Sequence, residues 1–325
     1  MPRIPFDPDQ PSQRATLFGL PPEAETARIH VLPIPFEATC SYGRGTRHGP
    51  EAIRRASLQL DLYDEDYGET WRSGIYLHPS PEWEHPPDNA SLEQIATASR
   101  QRSAGLRAWT ETQLAEGRIP AVLGGDHSSP LGAIEAAANA GELSILHIDA
   151  HMDLRQSYEG FEESHASIMH NVLTRCPGVE GLVQVGIRDY SAGEIERAKA
   201  EGQRVQCFFM RDWRRHLAAG LALDQLLDQC IAGLGSRVWI SFDIDGLDPA
   251  FCPHTGTPVP GGLQFGEASQ LLWRLAQSKR RIIGFDLCEV FGHADPVEHP
   301  AQEWDANVGA RILYKLCGAA TFGER

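Results

Sequence analysis

No stretch of this 325-residue chain approaches the roughly 18 consecutive apolar residues that a membrane-spanning helix needs, so no segment reads as transmembrane. Basic charge is scarce as well. Against 44 Asp and Glu stand only 29 Lys and Arg, a formal net charge of −15, and no basic block interrupts the balance. Nucleic acid and anionic membranes are therefore not expected partners, whereas a cationic small molecule is electrostatically compatible. The seven cysteines (Cys40, Cys176, Cys207, Cys230, Cys252, Cys288 and Cys317) are odd in number, scattered, and without a C-x-x-C pair. That argues against a disulfide framework or a zinc ribbon, and it fits a reducing cytoplasm. The opening Met1-Pro2-Arg3-Ile4-Pro5 lacks the apolar segment of a secretory signal. Internal repeats, low-complexity tracts and linkers are also missing. Residues 28–320 are accordingly expected to form one domain behind an irregular, Pro-rich N-terminal arm over 1–27.

What is present is an ordinary globular composition, 42% hydrophobic and 22% charged, with a regular alternation of elements. Ala27 to Pro35 reads as a first buried strand. A glycine-containing loop then leads through Pro50 into a helix over 51–63, proline being well suited to a helix start. After a Pro-rich loop at 77–90, Ser91 with Gln94 three residues on has the pattern of a capping box for a helix over 91–116. Strands at 119–124, 143–149, 182–187, 204–209, 237–243 and 282–287 are interleaved with helices at 129–140, 166–175, 192–201, 221–233, 265–278 and 304–317. The strands are near-continuous apolar runs, which implies burial on both faces. Such alternation predicts an α/β fold with a parallel sheet flanked by helices, and ligands bind beyond the carboxyl ends of its strands.

Three strand ends carry unusual chemistry. Leu146-His147-Ile148-Asp149-Ala150-His151-Met152-Asp153 runs from apolar residues into Asp-x-His-x-Asp. In an extended segment residues two apart share a face, so Asp149, His151 and Asp153 would point the same way. Burying such a cluster is costly without compensation, and a divalent cation is the usual compensation. Taken alone, the motif reads equally well as an acidic turn capping the next helix. A second apolar strand, Trp239-Ile240-Ser241-Phe242, ends in Asp243-Ile244-Asp245, with Asp248 following. A third ends in Gly124-Gly125-Asp126-His127-Ser128. Three such strand ends on one edge point to one polar pocket.

These motifs together resemble the signatures of the ureohydrolases, the arginase and agmatinase family. The likeness extends to Gly45-Thr46-Arg47-His48-Gly49-Pro50, Thr255-Gly256-Thr257-Pro258 and Phe285-Asp286-Leu287-Cys288-Glu289, covering roughly residues 28 to 317 in family order. The resemblance implies a three-layer α/β/α fold with a central, mostly parallel sheet of about eight strands, and two bridged Mn²⁺ ions. One ion would take His127, Asp149, Asp153 and Asp243; the other would take His151, Asp149, Asp243 and Asp245. Asp149 and Asp243 would bridge, a shared hydroxide would lie between the ions, and Asp153 would also belong to the catalytic set. Four carboxylates offset two divalent charges, and oxygen mixed with imidazole suits Mn²⁺, although Ni²⁺ or Co²⁺ suits the same ligands. Glu289 matches the carboxylate that holds the substrate guanidinium. His165 matches a substrate-contacting histidine that passes protons to the leaving amine, with His170 as a competitor because Ala166-Ser167 departs from the agmatinase pattern. Asp126 and Asp248 are expected to orient ligands rather than bind metal. His147, deeper in its strand, is expected to be a hydrogen-bonded core or orienting residue.

The expected reaction is hydrolysis of a guanidino compound to urea and an amine, and agmatine to putrescine is the foremost expectation. The Leu154 to Glu163 stretch lacks the arginase carboxylate-binding loop, and Ser191 stands where arginases carry a second aspartate after Asp189. Both departures argue against arginine. Asp189 itself is retained as a substrate-binding candidate. Glu159, Glu162 and Glu163 would favour a cationic tail, while Arg155 keeps 4-guanidinobutyrate and related guanidino acids open. A non-catalytic homologue acting as a binding or assembly protein would be marked by loss of a ligand, and none is lost; a metal-dependent deacetylase needs fewer carboxylates. The family commonly forms trimers or hexamers, so a homo-oligomer is expected.

Overall fold

Each apolar run becomes a strand of one sheet in a computed structural model that describes residues 6–323, apart from 11, 13, 84, 88, 298 and 299. In chain order, β1 (Ile29–Ile34) is followed by α1 (Gly49–Ala56), β2 (Ile75–Leu77), α2 (Leu92–Ala115), β3 (Ile119–Gly124), α3 (Leu131–Asn139) and β4 (Leu143–Ile148). Then come α4 (Ile168–Arg175), β5 (Val179–Ile187), α5 (Ala192–Glu201), β6 (Val205–Phe209), α6 (Met210–Ala218) and α7 (Leu223–Ala232). The chain closes with β7 (Arg237–Asp243), α8 (Phe265–Gln277), β8 (Arg281–Cys288) and α9 (Trp304–Ala320). The strands lie in the order β2-β1-β3-β8-β7-β4-β5-β6, and every pairing is parallel.

Because side chains alternate along a strand, each face of the sheet needs its own apolar cover. Leu146 and Ile148 of β4 join a core with α1 and α6 to α9, whereas Leu143 and Ile145 join a second core with α2 to α5. The result is three layers, as the alternation implied. Burial of each large aliphatic side chain in these cores contributes about 1.5–3 kcal/mol.

Several local features follow the sequence closely. Pro50 occupies the first turn of α1. At the start of α2 the Ser91 hydroxyl accepts from the Gln94 amide at 3.3 Å while the Gln94 side chain accepts from the Ser91 amide at 2.8 Å. Others differ. The helix expected over 51–63 stops at Ala56, where the Ser57 hydroxyl donates back to the Arg54 carbonyl. Ile75–Leu77 forms an edge strand too short to stand out in the sequence. Met210–Ala218 is helical, anchored by buried Met210 and Trp213 among charged neighbours. Of the lead-in, residues 1–5, 11 and 13 lie outside the described part. The rest is irregular but packed: Leu17, Phe18 and Leu20 are buried, and Phe18 meets Tyr314 edge-on at 4.9 Å.

Candidate metal centre and cleft

The carboxyl ends of β3, β4, β7 and β8 are neighbours in the sheet, so residues far apart in sequence meet there. Immediately after β4, carboxylates capture the backbone amides that the strand leaves unpaired. Asp149 Oδ1 accepts from the His151 amide at 2.5 Å, Asp245 Oδ1 from the Ala150 amide at 3.0 Å, and Asp243 Oδ1 from the Asp245 amide at 2.8 Å. The close approach of β5 to this turn requires Gly186, since a Cβ there would lie 2.6 Å from the Asp149 carbonyl oxygen and its φ is +101°. Two of the acids sit in left-handed backbone, Asp153 at φ 53° and Glu289 at φ 60°. For non-glycine residues that costs about 1–2 kcal/mol each, and such outliers cluster at functional sites.

Six donors converge in two groups. His127 Nδ1 lies 3.0 Å from Asp149 Oδ2, 3.3 Å from Asp153 Oδ2 and 3.2 Å from Asp243 Oδ2. His151 Nδ1 lies 3.4 Å from Asp149 Oδ1 and 3.1 Å from Asp245 Oδ2. Asp149 therefore offers one oxygen to each group. Asp243 reaches the first group through Oδ2, and its Oδ1 takes the Asp245 amide, so a span by Asp243 is not visible in these contacts. All four carboxylates are at most 4% exposed, and solvent does little to screen them.

The electrostatics of the group ask for a cation. Burial opposes a charge on His127, but bonds to Asp149, Asp153 and Asp243 outweigh it and raise its pKa well above the usual value. His151 is pushed up to about 12, burial again opposing and Asp245 and Asp149 prevailing. Burial, then the charges of Asp245 and Asp149, hold Asp243 well above the carboxylate range, and burial with the Asp149 charge raises Asp153. Left to itself the cluster keeps protons that a metal ion would displace. Two imidazoles and four carboxylates, charge-balanced by two divalent ions and sharing Asp149, are a donor set that fits a dinuclear centre.

Behind the donors stand polar contacts that sequence reasoning missed. His127 Nε2 donates to Ser241 Oγ at 2.9 Å, which donates to Asp286 Oδ1 at 3.0 Å; Trp239 Nε1 donates to Asp286 Oδ2 at 2.6 Å. A fully buried acid inside the apolar β8 run was the signal available for this network. His147 Nε2 donates to Asp149 Oδ2 at 2.9 Å, and its Nδ1 accepts from Gln184 at 2.9 Å. Both ring nitrogens are used, as expected of an orienting histidine. Arg188 donates to the carbonyls of Asp245, Leu247 and Val259, tying together the loops after β7.

A cleft of about 290 Å³ opens onto His151 and Asp153, and its walls include Ser41, Tyr42, Tyr158, His165, Asp189, Tyr190 and Thr257. His165 is in this cleft, whereas His170 lines a separate recess with Gln156, Ser157 and Asn171. The Asp189 side chain is 67% exposed, with Oδ2 3.9 Å from His151 Nε2. Glu289 does not line the cleft wall but lies against the cluster: its Oε1 accepts from the His127 amide at 2.8 Å, and its buried Oε2 has no partner. Burial and the Asp126 charge raise its pKa well above the ordinary value.

Two expectations need correcting. Asp126 and Asp248 do not contact donor side chains. Asp126 accepts from Thr39 and Ser128, and Asp248 accepts from the Ala250 and Gly261 amides, so both hold loops. Two glutamates of the acidic stretch do not guard the mouth either. Glu162 and Glu163 line another cleft beside α2, where Glu163 meets Arg175 at 2.6 Å. Arg155, by contrast, does line the cleft, where it lies 3.6 Å from Glu194 and over the Tyr158 ring.

Residues 27–318 match the sequence profile of the arginase family. The chain is similar to the N(1)-aminopropylagmatine ureohydrolase of Thermus thermophilus, 35% identical over 270 residues that span 82% of this chain and 83% of that one. It is also similar to an agmatinase of Halalkalibacterium halodurans, 29% identical over 84% of this chain and 87% of the other. Among solved structures it resembles the agmatine ureohydrolase of Thermoplasma volcanium, with a TM-score of 0.73, 28% identity and 93% of each chain covered.

Proposed function

The chain belongs to the arginase family, a hydrolase of guanidino C–N bonds, and from that premise we propose that it converts agmatine to urea and putrescine at a pair of divalent cations. The observation that carries the substrate class is the buried, unpartnered Glu289 Oε2 beside the donor cluster. An ionised oxygen left alone in a dry site is costly, and a guanidinium supplies both the missing charge and the missing N–H groups.

In this reading His127, Asp149, Asp153 and Asp243 would hold one ion and His151, Asp149 and Asp245 the other, with Asp243 also serving the second ion if its Oδ1 gives up the Asp245 amide. Mn²⁺ is the preferred metal on ligand chemistry, with Ni²⁺ and Co²⁺ as the alternatives. When bound, such a pair lowers the pKa of a shared water, so that a nucleophile is available at neutral pH. Glu289 grips the guanidinium and fixes which face of its carbon is presented. His165, lining the cleft, gives a proton to the departing amine nitrogen. Asp189, exposed at the same cleft, faces the tail of the substrate and favours an ammonium there.

A longer substrate is the second reading. Tyr42 and Tyr190 extend the cleft next to Asp189, and aromatic faces beside a carboxylate suit a second cationic centre, as in N(1)-aminopropylagmatine. Arg155 lines the same cleft and would pair the carboxylate of a guanidino acid such as 4-guanidinobutyrate, which keeps that class as an alternative. Residues 28–320 would form one catalytic domain, in a cytoplasmic trimer or hexamer whose size light scattering would measure.

The test is urea release from Mn²⁺-loaded and Ni²⁺-loaded protein on agmatine, N(1)-aminopropylagmatine, arginine and 4-guanidinobutyrate, with Asp149→Ala as control. Turnover of agmatine, lost in the control, is the expected result. Preference for the aminopropyl compound favours the second reading, and silence on all four substrates overturns both.

A further inference from the structure

We infer that Thr39 and Asp126 are positioning residues that fix the tautomer and direction of the His165 ring, an inference resting on the reading of His165 as the proton donor to the leaving amine. The argument is a count of hydrogens. Asp126 is fully buried and its carboxylate already accepts four bonds. The Thr39 amide and hydroxyl reach Oδ2 at 3.0 and 2.9 Å, and the Ser128 amide and hydroxyl reach Oδ1 at 3.1 and 2.5 Å. With four donors around it, the carboxylate is an acceptor only, and the single hydroxyl hydrogen of Thr39 is committed to it.

Thr39 is 1% exposed, so no bulk water competes for its oxygen. That oxygen has two lone pairs left. One accepts from the His165 backbone amide at 3.0 Å, and the other faces His165 Nδ1 at 3.4 Å. A Thr39 oxygen with no hydrogen to give can only accept from Nδ1, which must therefore carry the ring hydrogen in the neutral form. The free lone pair is then on Nε2, 3.3 Å from the Ser41 hydroxyl, and both Ser41 and His165 line the cleft. Tyr158 stands edge-on to the ring at 5.7 Å and backs it from another side. The opposite tautomer would set the Nδ1 lone pair against the Thr39 oxygen. Asp126 thus acts two bonds away from the ring, and Nε2 is the atom that takes up and releases the proton.

The test uses the full-length, metal-loaded enzyme. Thr39→Val keeps the side-chain shape and removes the hydroxyl; Thr39→Ser keeps the hydroxyl. For Thr39→Val, kcat for urea release should fall by about 10- to 100-fold with KM changed by less than about threefold, since misdirecting a general acid removes part of its ~10²–10⁴-fold contribution. Thr39→Ser should recover kcat to within about threefold of wild type on the same argument. In ¹⁵N-histidine spectra of Mg²⁺-loaded protein, with His165→Gln to assign the signal, the neutral ring should read as Nδ1–H in wild type and as a tautomer mixture in Thr39→Val. An unchanged tautomer and kcat in Thr39→Val would overturn the inference, as would a Thr39→Ser loss equal to that of Thr39→Val. If wild type releases urea from no guanidino compound, the functional reading fails, while the ring spectra still decide this inference.

Discussion

Replacing Asp286 by Asn would alter one atom of a fully buried side chain and leave its shape intact. Asp286 receives Trp239 Nε1 at 2.6 Å on one oxygen and Ser241 Oγ at 3.0 Å on the other, and Ser241 in turn receives His127 Nε2. An amide in this place turns one acceptor into a donor, so either the indole or the hydroxyl faces a hydrogen instead of a lone pair. Loss of one charge-assisted bond costs about 1.5–3 kcal/mol. For a chain of this length that is a fall of roughly 2–4 °C in Tm, taking the usual unfolding entropy per residue. The larger effect is on the metal. If the new amide donates to Ser241, the hydroxyl hydrogen loses its acceptor and crowds the His127 N–H that shares the same oxygen, so the contact that aims Nδ1 at Asp149, Asp153 and Asp243 is weakened. Affinity for the ion at His127 should drop about 10- to 100-fold, the usual cost of removing such support. Calorimetric Mn²⁺ titration of stripped protein measures this, with Trp239→Phe as comparison. The phenylalanine variant removes the indole bond and part of the packing over Gly284 but leaves the contacts of Asp286 with Ser241 and of Ser241 with His127, so it should lower Tm while leaving metal affinity near wild type. Wild-type affinity for both ions in Asp286→Asn, or an equal loss of affinity in Trp239→Phe, would refute the chain of support drawn from Asp286 to His127.

Glu289→Gln keeps a hydrogen-bonding group but removes the charge facing the guanidinium; kcat/KM for urea release should fall about 30- to 100-fold, near 2–3 kcal/mol, with thermal stability unreduced. Asp189→Asn should raise KM for a cationic substrate only about two- to fivefold, because an exposed charge is screened, whereas Glu163→Gln should leave KM unchanged since its carboxylate faces Arg175. A shift in KM with Glu163→Gln would return the acidic stretch to the cleft. His30, buried on β1 and bonded to His78 at 2.8 Å, has its pKa lowered from 6.5 to about 4 by burial, helped by the charges of Arg118 and His78. Its neutral form is the one the fold accommodates, so this stability is full above pH 6.5, is lost progressively as pH falls below 6.5, and is gone by about pH 4. The loss is about 3 kcal/mol by pH 4 and below, and denaturant unfolding of wild type against His30→Asn across that window should show the variant with the flatter pH dependence.

Much of the architecture was legible because burial on both sheet faces leaves apolar runs too continuous to mistake. The donor cluster was legible for a related reason, since acids at the end of such runs are conspicuous. The route by which they meet was not. The argument from alternation put Asp149, His151 and Asp153 on one extended face, yet β4 ends at Ile148 and Asp153 enters through left-handed backbone. What the sequence hides is register. Ser241 sits opposite Asp286 in the β7–β8 ladder and opposite His147 in the β4–β7 ladder, and no spacing within one strand reveals either pairing. The same limit misplaced Glu162 and Glu163: their charge was visible, but the direction of the loop was not. Met210–Ala218 was a readable miss, with Met210, Trp213 and Leu217 at helical spacing in a charged setting.

The position of β8 bears on how a newly synthesised molecule matures. Among the described strands it is the latest in chain order, and it belongs in the interior of the sheet, between β3 and β7. Until it arrives, β2-β1-β3 and β7-β4-β5-β6 are two separate ribbons, each with a bare inner edge able to recruit another nascent chain. His127 rides on the first ribbon, and Asp149 and Asp243 on the second. No metal ion can therefore be gripped by all of them until the two ribbons are joined. Parallel insertion of a terminal strand is slow, because the longest loops must close first. Cells making this protein thus face an interval of exposed edges, shortened by anything that hastens the docking of β8.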